Sequence, residues 1–225
     1  KIESTFRTTY PTGSIEWLIG SDCSTDHTEE IINRYIEKFP QIRLVRFNQR
    51  TGKIGIMNEL AAMASAPVLI FTDANVFFTE VTLRELVKHF KDQAVGLVAG
   101  NIINPLVKPD GISRQEGDYL IYENRMKYQE GILWGAMMGA FGGCYAMRKD
   151  FFSPTPRHFI VDDFYLTMQV LEKNGKAILA TQAICYEDVS NKVREEFRRK
   201  TRIATGNFQN LFRLLFPPWF PERPP

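Results

Sequence analysis

Three acidic stretches carry side chains whose types and spacing could do chemistry: Ser-Asp-Cys-Ser-Thr-Asp at 21–26, Thr-Asp-Ala-Asn at 72–75, and the adjacent pair Asp162-Asp163. Asp73 and Asn75 stand two residues apart on an extended segment, with only small Ala74 between them. Alternate side chains of such a segment share a face, so a carboxylate and an amide oxygen are offered together. Oxygen donors of that kind suit Mg2+ or Mn2+ bridging a diphosphate. In the Asp162-Asp163 pair, neighbouring like charges raise one proton affinity, as a general base needs. Cations accompany these acids. Lys53 follows Gly52 at the start of a helical stretch, where a lysine and a helix N-terminus can meet phosphate together. Arg198, Arg199, Lys200 and Arg202 cluster further on. Arg199 and Arg202 lie about one helical turn apart, a spacing that lets two guanidinium groups share one phosphate.

Each stretch taken alone also has a plainer reading. Ser, Thr and Asp favour turns and helix starts, an acidic pair suits a helix N-terminus, and a lysine or a basic run suits a solvated face. The joint pattern is more informative, because it repeats at the same place in successive elements. Apolar runs at 15–20, 42–47, 67–72 and 95–99 read as strands. Between them lie amphipathic helices, one starting at a capping-box pattern Asp26-x-x-Glu29 and stopped by Pro40, one over 53–64, and one opened by Thr82-x-x-Glu85. The 67–72 run has the continuous apolar character of a strand buried on both faces. Strands alternating with such helices predict an α/β fold around a mixed, mostly parallel sheet. Ligands of these sheets bind beyond the carboxyl ends of the strands. Asp22 follows the first strand closely and Asp73 directly follows the third. The second half predicts a polar helix over 113–130, a helix opened by Asp162-Asp163, a buried strand over 177–186 and a basic helix over 191–215 that becomes apolar.

The composition narrows the class. The 225 residues are 44% hydrophobic and 24% charged, which excludes a disordered tail or a collagen-like chain. A net charge of +2 argues against a dedicated nucleic-acid binder. Cys23, Cys144 and Cys185 are too few and too scattered for a disulfide framework or a zinc cluster, which points to a reducing compartment. The first residues lack the apolar core of a signal peptide. The uncharged stretch 131–147 is short for a membrane span and carries five glycines, so it reads as a glycine-rich loop entering a buried strand. The phosphate-loop spacing fails around Gly52-Lys53, and neither Gly-x-Gly-x-x-Gly nor Gly-x-Ser-x-Gly occurs.

Read in order, SDCSTD, GKIGIMNEL, TDAN, GGCYAMR, VDDFYL and RKTRI resemble the catalytic domain of family 2 glycosyltransferases, in the subgroup of cellulose-, chitin- and hyaluronan-synthase-like enzymes. The resemblance covers about 15–206. It implies a GT-A fold, a Rossmann-like three-layer sandwich, and inverting transfer of a sugar from a nucleotide-diphosphate donor to a carbohydrate or lipid-linked acceptor. By resemblance, Asp22, Lys53, Asp73, Arg199 and Arg202 bind the nucleotide-sugar, and Asp73 and Asn75 hold Mg2+ or Mn2+. Asp163 is the catalytic base, while Gly142, Gly143, Cys144 and Asp162 lie on the acceptor side.

The chain departs from that pattern at three places. Asn75 stands where the family has a second Asp. RKTRI has Arg199 for Gln and Ile203 for Trp. The opening strand and its Pro-x-Tyr-Asn-Glu-like loop are absent, and that strand is expected between the strands at 15–20 and 67–72. The sequence therefore reads as a truncated catalytic domain over 1–206. Residues 207–225 form an apolar, proline-rich exit toward a membrane region, which places the whole protein at the cytoplasmic membrane face. The Asn75 substitution keeps a second expectation open, a catalytically weak domain that binds nucleotide-sugar or polysaccharide.

Overall fold

The computed structural model describes residues 1–105, 113–187 and 192–215. Its elements run α1 (Ile2–Phe6), β1 (Trp17–Asp22), α2 (Thr28–Lys38), β2 (Ile42–Phe47), α3 (Gly52–Met63), β3 (Val68–Thr72), β4 (Val76–Phe78), α4 (Thr82–Val87), β5 (Val95–Ile103), α5 (Ser113–Trp134), β6 (Cys144–Arg148), α6 (Asp162–Glu172), β7 (Lys176–Glu187) and α7 (Val193–Leu215). The expected α/β alternation is present. The short β4, with Val76 and Phe78 pointing into the core, has too few residues to show a period and was not legible beforehand.

The strands form two sheets. β1 and β2 pair in parallel, from Trp17 opposite Ile42 to Asp22 opposite Phe47. The other five take the order β3-β6-β5-β7-β4, with β5 and β7 parallel and the remaining pairs antiparallel. The sheet is thus mixed: β3, β5 and β7 share a direction, β6 inserts between β3 and β5, and β4 closes one edge.

Burial follows the pleat. On β5, Leu97 and Ala99 enter one core with Tyr145, Met147, Leu166 and Val170, while Val98 and Ile102 enter a second with Leu86, Ala146 and Ala180. A strand covered on both faces tends to be apolar at successive positions, which is why 95–99 reads as an unbroken run, while β5 continues past Asn101 to Ile103. β3 breaks that expectation. Its sequence is as apolar as that of β5, yet only Leu69 is buried. The outer edges of β3 and β1 face each other without pairing, across a cleft of about 550 Å3 flanked by Ile56, Met57 and Leu60 of α3. Both strands are half-exposed because each borders this cleft.

Local capping differs from the pattern at 26–29. Asp26 does accept the backbone N–H of Thr28 at 3.0 Å, but Glu29 turns to Ser21 Oγ and Arg46 instead of reaching back. Residues 131–147 divide into the last turn of α5, a loop, and β6. Among the described residues no helix is long and apolar enough to cross a membrane. The three cysteines are free. Of the expected exit segment 207–225, residues 207–215 continue α7, and residues 216–225 lie outside the described residues.

Candidate active site

Lys53 is the meeting point of two of the acidic stretches, those of Asp73 and of Asp162. As the second residue of α3 it reaches into the cleft, with Nζ 3.0 Å from Asp73 Oδ1 and 3.3 Å from Asp162 Oδ1. Burial alone would favour the neutral amine, but Asp162 and then Asp73 outweigh it and hold the ammonium charged above its usual range. Asp73 is set by the end of β3. Its N–H donates to Gly143 O at 3.1 Å, and Thr72 Oγ1 donates to the same carbonyl, which ties the strand end to the loop before β6.

Asp162 and Asp163 open α6, as their types predict. Their surroundings separate them. Asp162 receives the hydroxyl of fully buried Tyr145 at 2.8 Å as well as Lys53. Among the described residues, Asp163 accepts only the N–H of Phe164, at 2.7 Å. Burial, followed by the adjacent Asp162, pushes its carboxyl up to about 6. The glycine-rich loop lies against it. A Cβ on Gly142 would stand 2.7 Å from Asp163 Oδ2, so a side chain there would displace the carboxylate. Gly139, at φ +78°, turns the loop where an L side chain would be strained and would meet Phe164. Buried Lys127 donates to the carbonyls of Met138 and Gly139, and Ala140 N–H donates to Thr167 Oγ1.

Asp22 works at the same N-terminal end of α3, from outside the helix. Its carboxylate accepts the N–H groups of Thr51 and Gly52 at 2.7 and 3.0 Å, with Arg50 3.8 Å away. The Thr51 N–H above all, then that of Gly52, holds its proton affinity below the usual range. It lines a separate hollow of about 380 Å3 with Asp26 and Arg50 rather than the main cleft. On the far side of Asp73, Asn75 Nδ2 donates to Glu187 Oε1 at 3.4 Å. Burial pushes the Glu187 carboxyl up.

The structure therefore gathers Lys53, Asp73, Asp162, Asp163 and Gly142, and places Asn75 with Glu187 beside them. It corrects Cys144 as an acceptor-side residue: the thiol is fully buried in the core shared with Val98 and Cys185, because it points to the opposite face of β6 from Tyr145. Gly143 is buried too, leaving Gly142 as the loop glycine that lines the cleft. Arg199 is held by both carboxylate oxygens of Glu196 at 2.9 Å, and Arg202 is exposed. Among the described residues, no contact ties Arg202 to the acids of the cleft, so the two arginines do not form a clamp in this arrangement. Tyr145, Lys127 and Glu187 were missed by sequence reasoning. The first two sit in apolar or helical patterns that conceal them, and Glu187 ends a strand that reads as core.

The donor set fits a hard divalent cation. Among the described residues no three His, Cys, Asp or Glu side chains stand close enough to hold a metal alone. The Asp73 carboxylate and Asn75 amide oxygen are nevertheless the ligand types that Mg2+ or Mn2+ takes, in sites where phosphate and water complete the shell.

Comparison with known proteins agrees with this layout. The chain is 25% identical over 207 residues to beta-monoglucosyldiacylglycerol synthase of Synechocystis sp., which covers 89% of this chain and 43% of that protein. The chain thus spans less than half the length of that curated relative. Among solved structures, the mannosyltransferase PcManGT from Pyrobaculum calidifontis, in complex with GDP-Man and Mn2+, superposes with a TM-score of 0.76 at 20% identity over 100% of this chain and 61% of its own. GalNAc-T7 with UDP, GalNAc and Mn2+ gives 0.65 at 18% identity over 84% of this chain and 40% of its own. Likeness at that identity establishes the GT-A fold. Residues 2–154 match the family model described as glycosyl transferase family 2, and since that match spans most of the chain and contains the Lys53–Asp73 pair, the chain belongs to that family.

Proposed function

We propose that this protein is an inverting glycosyltransferase that moves a sugar from a nucleotide-diphosphate donor to the hydroxyl of a carbohydrate or lipid-linked acceptor. The observation that carries the reading is Lys53 bridging Asp73 and Asp162, with Asp163 beside them in a less compensated environment. In this reading Asp163 takes the proton from the acceptor hydroxyl. The oxygen attacks the anomeric carbon from the face opposite the leaving group, so the configuration inverts. Lys53 and the α3 N-terminus place positive charge by the departing diphosphate, where it is needed as the bond breaks. A divalent cation held by Asp73 and Asn75 would supply further charge to that group. Asp22 serves the donor by holding α3 in place, and Arg199 would have to leave Glu196 to reach a phosphate.

Two further points belong to the proposal. The resemblance favours the cellulose-, chitin- and hyaluronan-synthase-like subgroup and polysaccharide synthesis, while the Synechocystis relative's name favours a glycolipid product. The proposal keeps the cytoplasmic membrane face as the protein's location; exposed Ile121, Tyr122, Leu133 and Trp134 on α5 and exposed Phe197, Phe208 and Phe212 on the basic helix α7 suit a membrane-facing surface and do not bear on the side.

The test is a donor screen that reads nucleoside diphosphate released from UDP- and GDP-sugars with carbohydrate and lipid acceptors. Release is expected with at least one donor, and Asp163→Asn is expected to lower it by about 10²–10⁴-fold. Binding of nucleotide-sugar without release from any donor would instead favour the second reading, a binding domain of a synthase assembly, for which the neutral Asn75 speaks.

A further inference from the structure

An amide ligates a hard cation through oxygen alone, so Asn75 can serve only if its Oδ1, and not its Nδ2, is turned to the cleft. An isolated asparagine has no reason to prefer that rotation, since the two ends of the amide are nearly the same size. Here the Asn75 amide has a neighbour that breaks the tie. Glu187 Oε1 lies 3.4 Å from Nδ2. A carboxylate only accepts, so the opposite rotation would set oxygen against oxygen.

The placement of Glu187 is built from elements far apart in the chain. It is the last residue of β7 and pairs across the sheet with Val76, the residue after Asn75. The second carboxylate oxygen fits because position 143 is glycine, where a Cβ would stand 3.1 Å from Glu187 Oε2. Glu187 is also within electrostatic range of Asp73, Lys53 and Arg199, so it belongs to the same charged cluster.

We propose that Glu187 is a positioning residue: it anchors the Asn75 amide nitrogen so that the amide oxygen faces the donor diphosphate and its divalent cation. This rests on the reading of the site given above. It accounts for asparagine where the family has an acid. A carboxylate at 75 would stand against that of Glu187, whereas an amide joins to it.

The test measures Mn2+ binding to the purified protein in the presence of UDP or GDP, read from the electron paramagnetic resonance signal of free Mn2+. Glu187→Met keeps the bulk and removes the acceptor, and is expected to weaken Mn2+ binding by about 10–100-fold. Glu187→Gln, whose Oε1 still accepts from Asn75, is expected to stay within about fivefold of the unaltered protein. In an Asn75→Ala background Glu187→Met is expected to change Mn2+ affinity by less than about twofold, because the residue it acts through is gone. Melting temperatures of both Glu187 variants establish that they are folded. Unchanged Mn2+ affinity in Glu187→Met, or the same loss with and without Asn75, overturns the inference. A protein that binds no Mn2+ with either nucleotide overturns the reading of the site itself, which is a separate result.

Discussion

Asp162 and Asp163 are neighbours in the chain but differ in company. Tyr145 and Lys53 compensate Asp162, while Asp163 is enclosed with, among the described residues, a single N–H donor. Two carboxyls held in unlike surroundings can divide the labour of acid–base chemistry, and in the proposed function the less compensated one is the base. A base whose carboxyl is raised to about 6 is half-protonated at that pH and active above it. Sugar transfer is therefore expected to rise with pH through about 6 and then level, a profile read from initial rates between about pH 5 and 8. A raised folded-state value also means that the ionised form costs stability above the unfolded-state value. Asp163→Asn removes that cost and keeps the oxygen that Phe164 N–H needs. Its melting temperature at neutral pH should equal or exceed that of the unaltered protein even as activity is lost. A variant that loses both would show Asp163 to be structural.

At the scale of elements, α3 carries the site. Thr51 at its N-cap makes no side-chain cap bond. The cap comes from outside the helix, through the Asp22 carboxylate on the N–H groups of Thr51 and Gly52. One acid at the end of β1 thereby fixes the helix whose second residue is Lys53. Asp22→Ala is expected to lower the melting temperature by about 2–4 °C, as loss of an N-cap does in a chain of this size. Asp22→Asn, which keeps one acceptor, should lose less. Thermal melts of the two variants decide this, and equal losses would count against the capping role.

At the scale of the molecule, the two sheets differ in how they are held. β5, β6 and β7 lie between two apolar cores, while β1 and β2 contribute half-exposed strands on the far side of the cleft. Units with less buried surface open at lower free energy. Hydrogen exchange should show the amides of β1 and β2 exchanging at least about tenfold faster than those of β5 and β7. Equal protection in both would mean that the cleft does not divide the fold into separate cooperative units.

Local rules carried much of this protein. Apolar runs, helix periods and the acids after strands 1 and 3 were legible because each depends on residues within one turn or one strand, and the order of motifs located Lys53, Asp73 and the Asp162-Asp163 pair. Tertiary structure alone decided the rest. It set which edges stay unpaired, that Cys144 faces the core while Tyr145 on the same strand holds Asp162, that Arg199 turns to Glu196, and that Glu187 meets Asn75 across 112 positions of sequence. The physical reason is range. Propensity and pattern act between near neighbours, whereas desolvation and the pairing of charges depend on which distant residues the packed core brings together.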